Sequence, residues 1–237
     1  MNTEQTKAID LIKQNNTDID GDTNNIFITG AAGCGKSFVL NEIIKWLLNT
    51  YTNDNDCEIG VTASTGAAAV LLDNGRTLHS YLSIGTGIKS ASELYSSMSK
   101  YVKEKLIKLK ILIIDEISMI NDILFTKISD YLSLIKNNDM PFGGVNLILV
   151  GDFHQLPPVK GKYCFKSPVW DNLNLNIINL TTPIRQNDAQ FISILDEIRN
   201  NKITKENFDI LKNTKNNIQQ HSFINLQLLK QINNQRK

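Results

Sequence analysis

The stretch Gly30-Ala31-Ala32-Gly33-Cys34-Gly35-Lys36-Ser37 constrains this chain more than any other. It follows an apolar strand-like run, Asn25 to Thr29, and opens a helical pattern from Phe38 to Leu48. Glycines at the first and sixth positions let the backbone curl until its N–H groups face inward, where they can bind phosphate oxygens. The helix behind adds the positive end of its dipole. Lys36 is placed to reach β- and γ-phosphates, and the Ser37 hydroxyl to bind Mg²⁺. ATP and Mg²⁺ are the expected ligands. A chance glycine-rich turn would lack the strand before it and the helix after it.

The rest of the chain reads as more of the same alternation. Helix-compatible Thr3 to Gln14 comes first, then a loop rich in Asn, Asp and Gly. Strands are expected at Ile59 to Ala63, in the run KILIID ending at Asp115, at Asn146 to Val150 and at Ile177 to Leu180. Helices are expected at Gly66 to Leu72, Asp122 to Lys136 and Ala189 to Arg199. Several of the strands are unbroken β-branched runs, which suits a parallel sheet covered on both faces. The expected class is α/β, a P-loop NTPase with a RecA-like parallel sheet. Residues 1–200 are assigned to that domain, with a Ser- and Gly-rich polar insertion at 82–99. Residues 201–237 are assigned to a polar helical tail or linker, since seven basic side chains meet two acidic ones from 202 onward. That segment suits a solvated helix and frayed end better than a binding arm.

Composition sets limits. At 237 residues and 41% hydrophobic, the chain can bury one sizeable core. Net charge is +1, so bulk charge says nothing for or against a nucleic-acid partner. Cys34, Cys57 and Cys164 lie far apart without metal-ligand spacing, which suits a reducing intracellular compartment. No apolar run approaches a membrane span, and MNTEQTKAIDLI resembles neither a secretory nor a mitochondrial leader.

Two further motifs carry chemistry. Asp115-Glu116 ends a buried strand about 80 residues after the phosphate loop. Asp115 would hold Mg²⁺ through water, and Glu116 is placed to polarise an attacking water, the mark of hydrolysis rather than kinase-type transfer. Gly151-Asp152-Phe153-His154-Gln155-Leu156-Pro157-Pro158 follows the next strand. Ends of neighbouring parallel strands face one crevice, so Gln155 can meet the γ-phosphate or the attacking water. His154 reads as a loop side chain, and the two prolines as a stiff bend.

In order and spacing, Asn2-Thr-Glu-Gln5-Thr-Lys-Ala8, the phosphate loop, Val61-Thr-Ala-Ser-Thr65-Gly66-Ala-Ala-Ala, Asp115-Glu116-Ile-Ser-Met119 and the Gly151 to Pro158 loop resemble the N-terminal motifs of superfamily 1B DNA helicases. Arg76-Thr77-Leu78-His79-Ser80, Phe142-Gly143-Gly144 and Leu180-Thr-Thr-Pro-Ile-Arg185-Gln186 resemble the Pif-one (petite integration frequency) family in particular. The resemblance spans about residues 2 to 212. It implies ATP-driven 5′-to-3′ movement on single-stranded DNA, in repair, recombination and telomere or genome maintenance. It also implies roles: Gln5 pairs with adenine, while Thr65 and Gly66 grip a DNA phosphate. Thr77, His79 and Ser80 line the DNA path, and Arg185 stabilises charge on the transferring phosphoryl group. For His79, a structural role and a DNA contact stand equal. The 82–99 insertion falls where relatives carry a duplex-splitting wedge, but here it lacks an aromatic-rich face.

Family members also need a second RecA-like domain with a further arginine. No later strand–helix series is read here. The expectation is a fragment, a split-gene product completed by a second chain or domain, or a remnant. An ATP-gated single-stranded DNA-binding module without unwinding activity is the alternative. A nucleotide kinase fits poorly with the Gly151 to Pro158 loop and the Val61 to Ala69 segment.

Overall fold

The computed structural model describes residues 2–15, 24–51, 58–184 and 188–214. They fall into two compact units divided between residues 185 and 186, a division earlier in the chain than the one placed at residue 200 from composition.

In the first unit, helix α1 (Thr3–Asn15) precedes strand β1 (Ile26–Gly30) and helix α2 (Lys36–Tyr51). Strand β2 (Glu58–Ala63), the single turn α3 (Gly66–Ala69), the short strand β3 (Arg76–Thr77) and the turn α4 (Leu78–Tyr81) follow. Helices α5 (Ala91–Ser97) and α6 (Lys100–Ile107) lead to β4 (Leu109–Asp115), α7 (Asp122–Lys136), β5 (Asn146–Val150) and β6 (Asn176–Leu180). The sheet order is β3-β2-β4-β5-β1-β6, and every pairing is parallel.

Two cores explain why apolar runs became strands. Ile26, Ile28, Ile111, Ile113, Ile148 and Val150 pack on one face, under Ala8, Ile9 and Ile12 of α1 and Val39, Leu40, Ile43, Ile44 and Leu47 of α2. Their neighbours Phe27, Leu112, Ile114, Leu147 and Leu149 pack on the other, under Phe125, Ile128, Tyr131, Leu132 and Ile135 of α7. A period of two along each strand demands apolar side chains at every position when both faces are covered.

Helix α7 shows how local signals set boundaries. The Asn121 side chain accepts a hydrogen bond from Leu124 N at 2.7 Å, capping the start. Asn137 ends the helix in the left-handed region at φ 50°. The turn that follows, Pro141–Gly144, runs through three positive φ values, 56° at Phe142, 65° at Gly143 and 77° at Gly144. Phe142 is fully buried against Phe125, ring centroids 5.0 Å apart, and its N–H donates to Ser129 Oγ at 2.9 Å. A Cβ on Gly143 would lie 2.7 Å from the Leu132 carbonyl oxygen. The Phe-Gly-Gly triplet is therefore a packing device that folds the α7–β5 connection onto α7.

The 82–99 segment departs from the polar insertion expected of it. Leu82, Ile84 and Leu94 are buried in the core beneath α7, and α5 begins with a reciprocal cap between Ser90 and Glu93. Eight serines and glycines mask three anchoring apolar residues that follow no single period.

The second unit holds α8 (Ala189–Arg199) and α9 (Lys205–Thr214). Asp188 caps α8 through bonds from Gln190 N and Phe191 N. The Glu197 carboxylate joins the two helices, accepting from Thr204 N, Thr204 Oγ1 and Asn207 Nδ2.

The Phe-Gly-Gly reading predicts the effect of Gly143→Ala. It adds a strained positive φ and a clash with backbone, and should cost about 2–4 kcal/mol. Urea denaturation should show a lower midpoint with an unchanged slope; an unchanged midpoint would refute the assigned role.

Candidate nucleotide and nucleic-acid site

Parallel strands bring the motif residues to one edge. Gly30 ends β1, Ala63 ends β2, Asp115 ends β4, Val150 ends β5 and Leu180 ends β6. Ala63 pairs with Asp115, and Gly30 with Leu180.

At Gly30 the backbone has φ 152°, and a Cβ there would overlap the Leu180 carbonyl oxygen. Gly33 and Gly35 take φ 85° and 84°, a region open to glycine at no steric cost. The loop thus leads directly into the N-terminus of α2, the positive end of that helix's dipole. Lys36 Nζ donates to Gly30 O at 2.7 Å and to Ala31 O at 3.1 Å, so its ammonium sits inside the loop's curve. Ala32 and Ser37 are exposed, whereas Cys34 is buried in the core under α2. Gln5 is only 2% exposed. Its Oε1 accepts from Asn2 N while Asn2 Oδ1 accepts from Gln5 N, and a Cβ on Gly35 would collide with its amide nitrogen. The amide is thereby fixed against the phosphate loop.

Asp115 is 8% exposed. Burial raises its pKa to about 6, helped by the Glu116 carboxylate and opposed by the Glu116 N–H and by Lys36. The Glu116 N–H donates to Asp115 Oδ1 at 2.9 Å. Glu116 itself stands at φ 55°, ψ 45°, in the left-handed region that glutamate rarely adopts. A hard divalent cation fits this arrangement: a carboxyl short of positive charge lies near the loop bearing Lys36 and the Ser37 hydroxyl.

The β5 exit supplies the third motif. Gly151 N–H donates to Ile28 O at 3.1 Å, and a Cβ on Gly151 would lie 2.9 Å from Ile117. Absence of a side chain lets this loop press against the turn after Glu116. Asp152, 2% exposed, accepts from His154 N at 3.0 Å through Oδ1 and from Gln155 Nε2 at 3.3 Å through Oδ2. Phe153 seats the loop among Phe27, Tyr163, Phe165 and Trp170, with centroids 4.8–5.8 Å apart. Asp152 was not singled out from sequence; an acid three residues before Gln155 in a turn was the available signal. His154 is exposed, as a loop side chain should be.

Along the same edge, Ser64 N–H donates to Asp115 O at 3.0 Å. Thr65 Oγ1 accepts from Ala68 N, and Thr77 Oγ1 from Ser80 N, both at 3.2 Å. Each hydroxyl caps a short helical turn and keeps its own hydrogen available. Gly66 has open space where a Cβ would stand. Ser80 Oγ takes a bond from Arg76. The His79 ring is half-buried beside Gly87, and burial lowers its pKa, so it is neutral near pH 7. Arg185 and Gln186 lie outside the described residues, as does Cys57.

Residues 1–209 match the model of the PIF1-like helicase family. The ATP-dependent DNA helicase PIF1 of Emericella nidulans is 40% identical over 195 residues, covering 79% of this chain and 26% of that protein. The ATP-dependent DNA helicase RRM3 of Saccharomyces cerevisiae is 40% identical over 223 residues, covering 90% and 29%. The crystal structure of a Bacteroides Pif1 helicase in complex with ADP-AlF3 and ssDNA superposes with a TM-score of 0.75 at 33% identity. That match covers 94% of this chain and 51% of the other. The chain spans 26% to 29% of the length of these two curated relatives.

Strain at Glu116 is testable apart from any reaction. Glu116→Gly relieves a left-handed residue of about 1–3 kcal/mol but gives the unfolded chain about 0.4–1 kcal/mol of extra freedom. Folding stability in urea should therefore match or exceed that of the unsubstituted protein. A clear loss would mean that the carboxylate holds the fold.

Proposed function

We propose that this chain, which belongs to the PIF1-like helicase family, is an ATP-hydrolysing motor domain of a 5′-to-3′ helicase acting on single-stranded DNA. The observation that carries this reading is the common edge shared by Lys36, Asp115, Glu116 and Gln155. Two relatives named as ATP-dependent DNA helicases support it, as does the Bacteroides structure with ADP-AlF3 and ssDNA.

In this reading Gly30 to Ser37 bind the phosphates through backbone N–H groups, Lys36 reaches the β- and γ-phosphates, and Gln5 meets the adenine edge. Ser37 and Asp115 hold Mg²⁺, which neutralises charge on the phosphate oxygens when bound. Glu116 accepts a proton from the water that attacks the γ-phosphorus, while the bond to the ADP oxygen breaks. Asp152 holds the Gln155 amide nitrogen, leaving Gln155 Oε1 to orient that water. Arg185 stabilises the developing negative charge, together with a further arginine from a second RecA-like domain or a second chain.

Single-stranded DNA runs across the ends of β2 and β3. Thr65 and Thr77 offer hydroxyl hydrogens to its phosphates, Gly66 permits close approach, and His79 and Ser80 border the path. No helix among the described residues is long and apolar enough to cross a membrane. An intracellular, reducing setting and service in DNA repair, recombination or telomere maintenance belong to the same reading.

Lys36→Ala should weaken ATP binding strongly in calorimetry, because it removes the charge opposite two phosphates. Glu116→Gln should keep that binding while lowering hydrolysis by about 10²-fold or more. Equal affinity in the first, or wild-type turnover in the second, would refute the assignments.

DNA affinity should fall with salt by a log–log slope of about −0.7 per phosphate neutralised. With a net charge of +1 the total slope should be shallow. Fluorescence anisotropy with oligo-dT across a salt series measures it. Salt-independent binding, or preference for blunt duplex, would refute the path.

A further inference from the structure

The residue before Gln5 reaches the chain just past the end of β6. Glu4 Oε1 accepts from Thr181 N at 3.0 Å and from Thr181 Oγ1 at 2.9 Å, and Glu4 Oε2 accepts from Thr182 N at 3.1 Å. Hydrogen bonds from the backbone of Thr181, then of Thr182, hold its carboxyl below the ordinary glutamate range. Two residues on, Ile184 N donates to Gly33 O at 2.9 Å. A Cβ on Gly35 would lie 3.2 Å from Ile184 Cδ1 and against the Gln5 amide. Gln5 and Ile184 therefore flank the same glycine of the phosphate loop.

Burial does not hold this segment in place, because residues 181–184 are all exposed. Pro183 has no N–H. The three N–H groups that remain are all committed, two to Glu4 and one to Gly33. A carboxylate accepting three donors makes charge-assisted bonds, stronger than neutral ones. Without it, Ile184 would keep a single backbone bond to the loop.

We propose that Glu4 is a positioning residue of the nucleotide site: it clasps the chain leaving β6 so that Ile184 stands beside the phosphate loop and favours nucleotide binding. The inference rests on the reading of Gly30 to Ser37 as the nucleotide loop. It gives α1 two tasks on consecutive residues, Gln5 toward the loop and Glu4 toward the strand exit.

ADP is the probe, titrated calorimetrically into the 237-residue chain, so that no step of hydrolysis enters. Glu4→Ala should weaken ADP by about tenfold, the scale of one charge-assisted hydrogen bond. Its melting temperature without nucleotide should stay close to that of the unsubstituted protein. Glu4→Gln, which keeps acceptor oxygen but loses charge, should recover part of the affinity. Thr181→Val should weaken ADP by about threefold in the native background and not at all beside Glu4→Ala, since coupled pairs are non-additive. If Glu4→Ala fails to fold, Glu4→Gln and Thr181→Val decide the matter by the same measurement. ADP affinity within twofold of native in folded Glu4 variants, with Lys36→Ala still impaired, would overturn the clasp alone. Additive effects of the Glu4 and Thr181 substitutions would overturn it too. If Lys36→Ala is also without effect, the nucleotide-loop reading itself falls.

Discussion

Parallel pairing across six strands is the constraint on which everything else here depends. It sends every strand the same way, so that the residues after β1, β2, β4, β5 and β6 emerge at one edge. The same pairing buries both faces, and alternate side chains of β1, β4 and β5 divide cleanly between two cores. A slip of one residue would exchange those faces. It would also move Asp115 relative to Ala63 and the Gly151 loop relative to Ile28. Register is therefore one quantity with two consequences, the filling of the cores and the alignment of the site. Burial of each large aliphatic side chain contributes about 1.5–3 kcal/mol, which fixes that register firmly.

Against this rigid edge the site gathers features that cost stability. Asp115 is a carboxyl in a dry position with a second acid beside it, and Glu116 occupies a backbone region suited to glycine. Glycine does appear wherever chains must touch: Gly30 against Leu180, Gly35 against Gln5, Gly151 against Ile117. Each contact removes a side chain to bring two loops closer than a Cβ would allow. The loops are consequently located by the sheet below them and by one another, with Phe153 and its aromatic neighbours anchoring the Gln155 turn.

Much of this was legible because the signals are local. KILIID and NLILV are continuous apolar runs, and Asn121 and Asn137 bracket a helix whose limits, Asp122 and Lys136, were readable directly. The phosphate loop and the acidic pair are short motifs that carry their own context. Less legible were elements whose reason lies elsewhere in space. Helices α5 and α6 are short and expose most of their side chains, so the buried residues Leu94 and Leu106 give little pattern. Phe142-Gly143-Gly144 was noticed as a resemblance, but its reason is the Leu132 carbonyl on the neighbouring helix. Asp152 hides inside a motif better known for its glutamine. The Glu4 bonds join residues 177 positions apart, a distance at which no periodicity speaks.

The pair of carbonyls that Lys36 contacts has a consequence for where its charge can go. Gly30 O and Ala31 O each accept from the ammonium, and because an ammonium carries three hydrogens, meeting an anion does not require giving up both carbonyls. Two bonds to fixed backbone oxygens also restrict the four-carbon stem, which in a free lysine carries about 2 kcal/mol of rotamer entropy. The ammonium is thus aimed before any ligand arrives, and its ordering cost is met in folding rather than at each encounter.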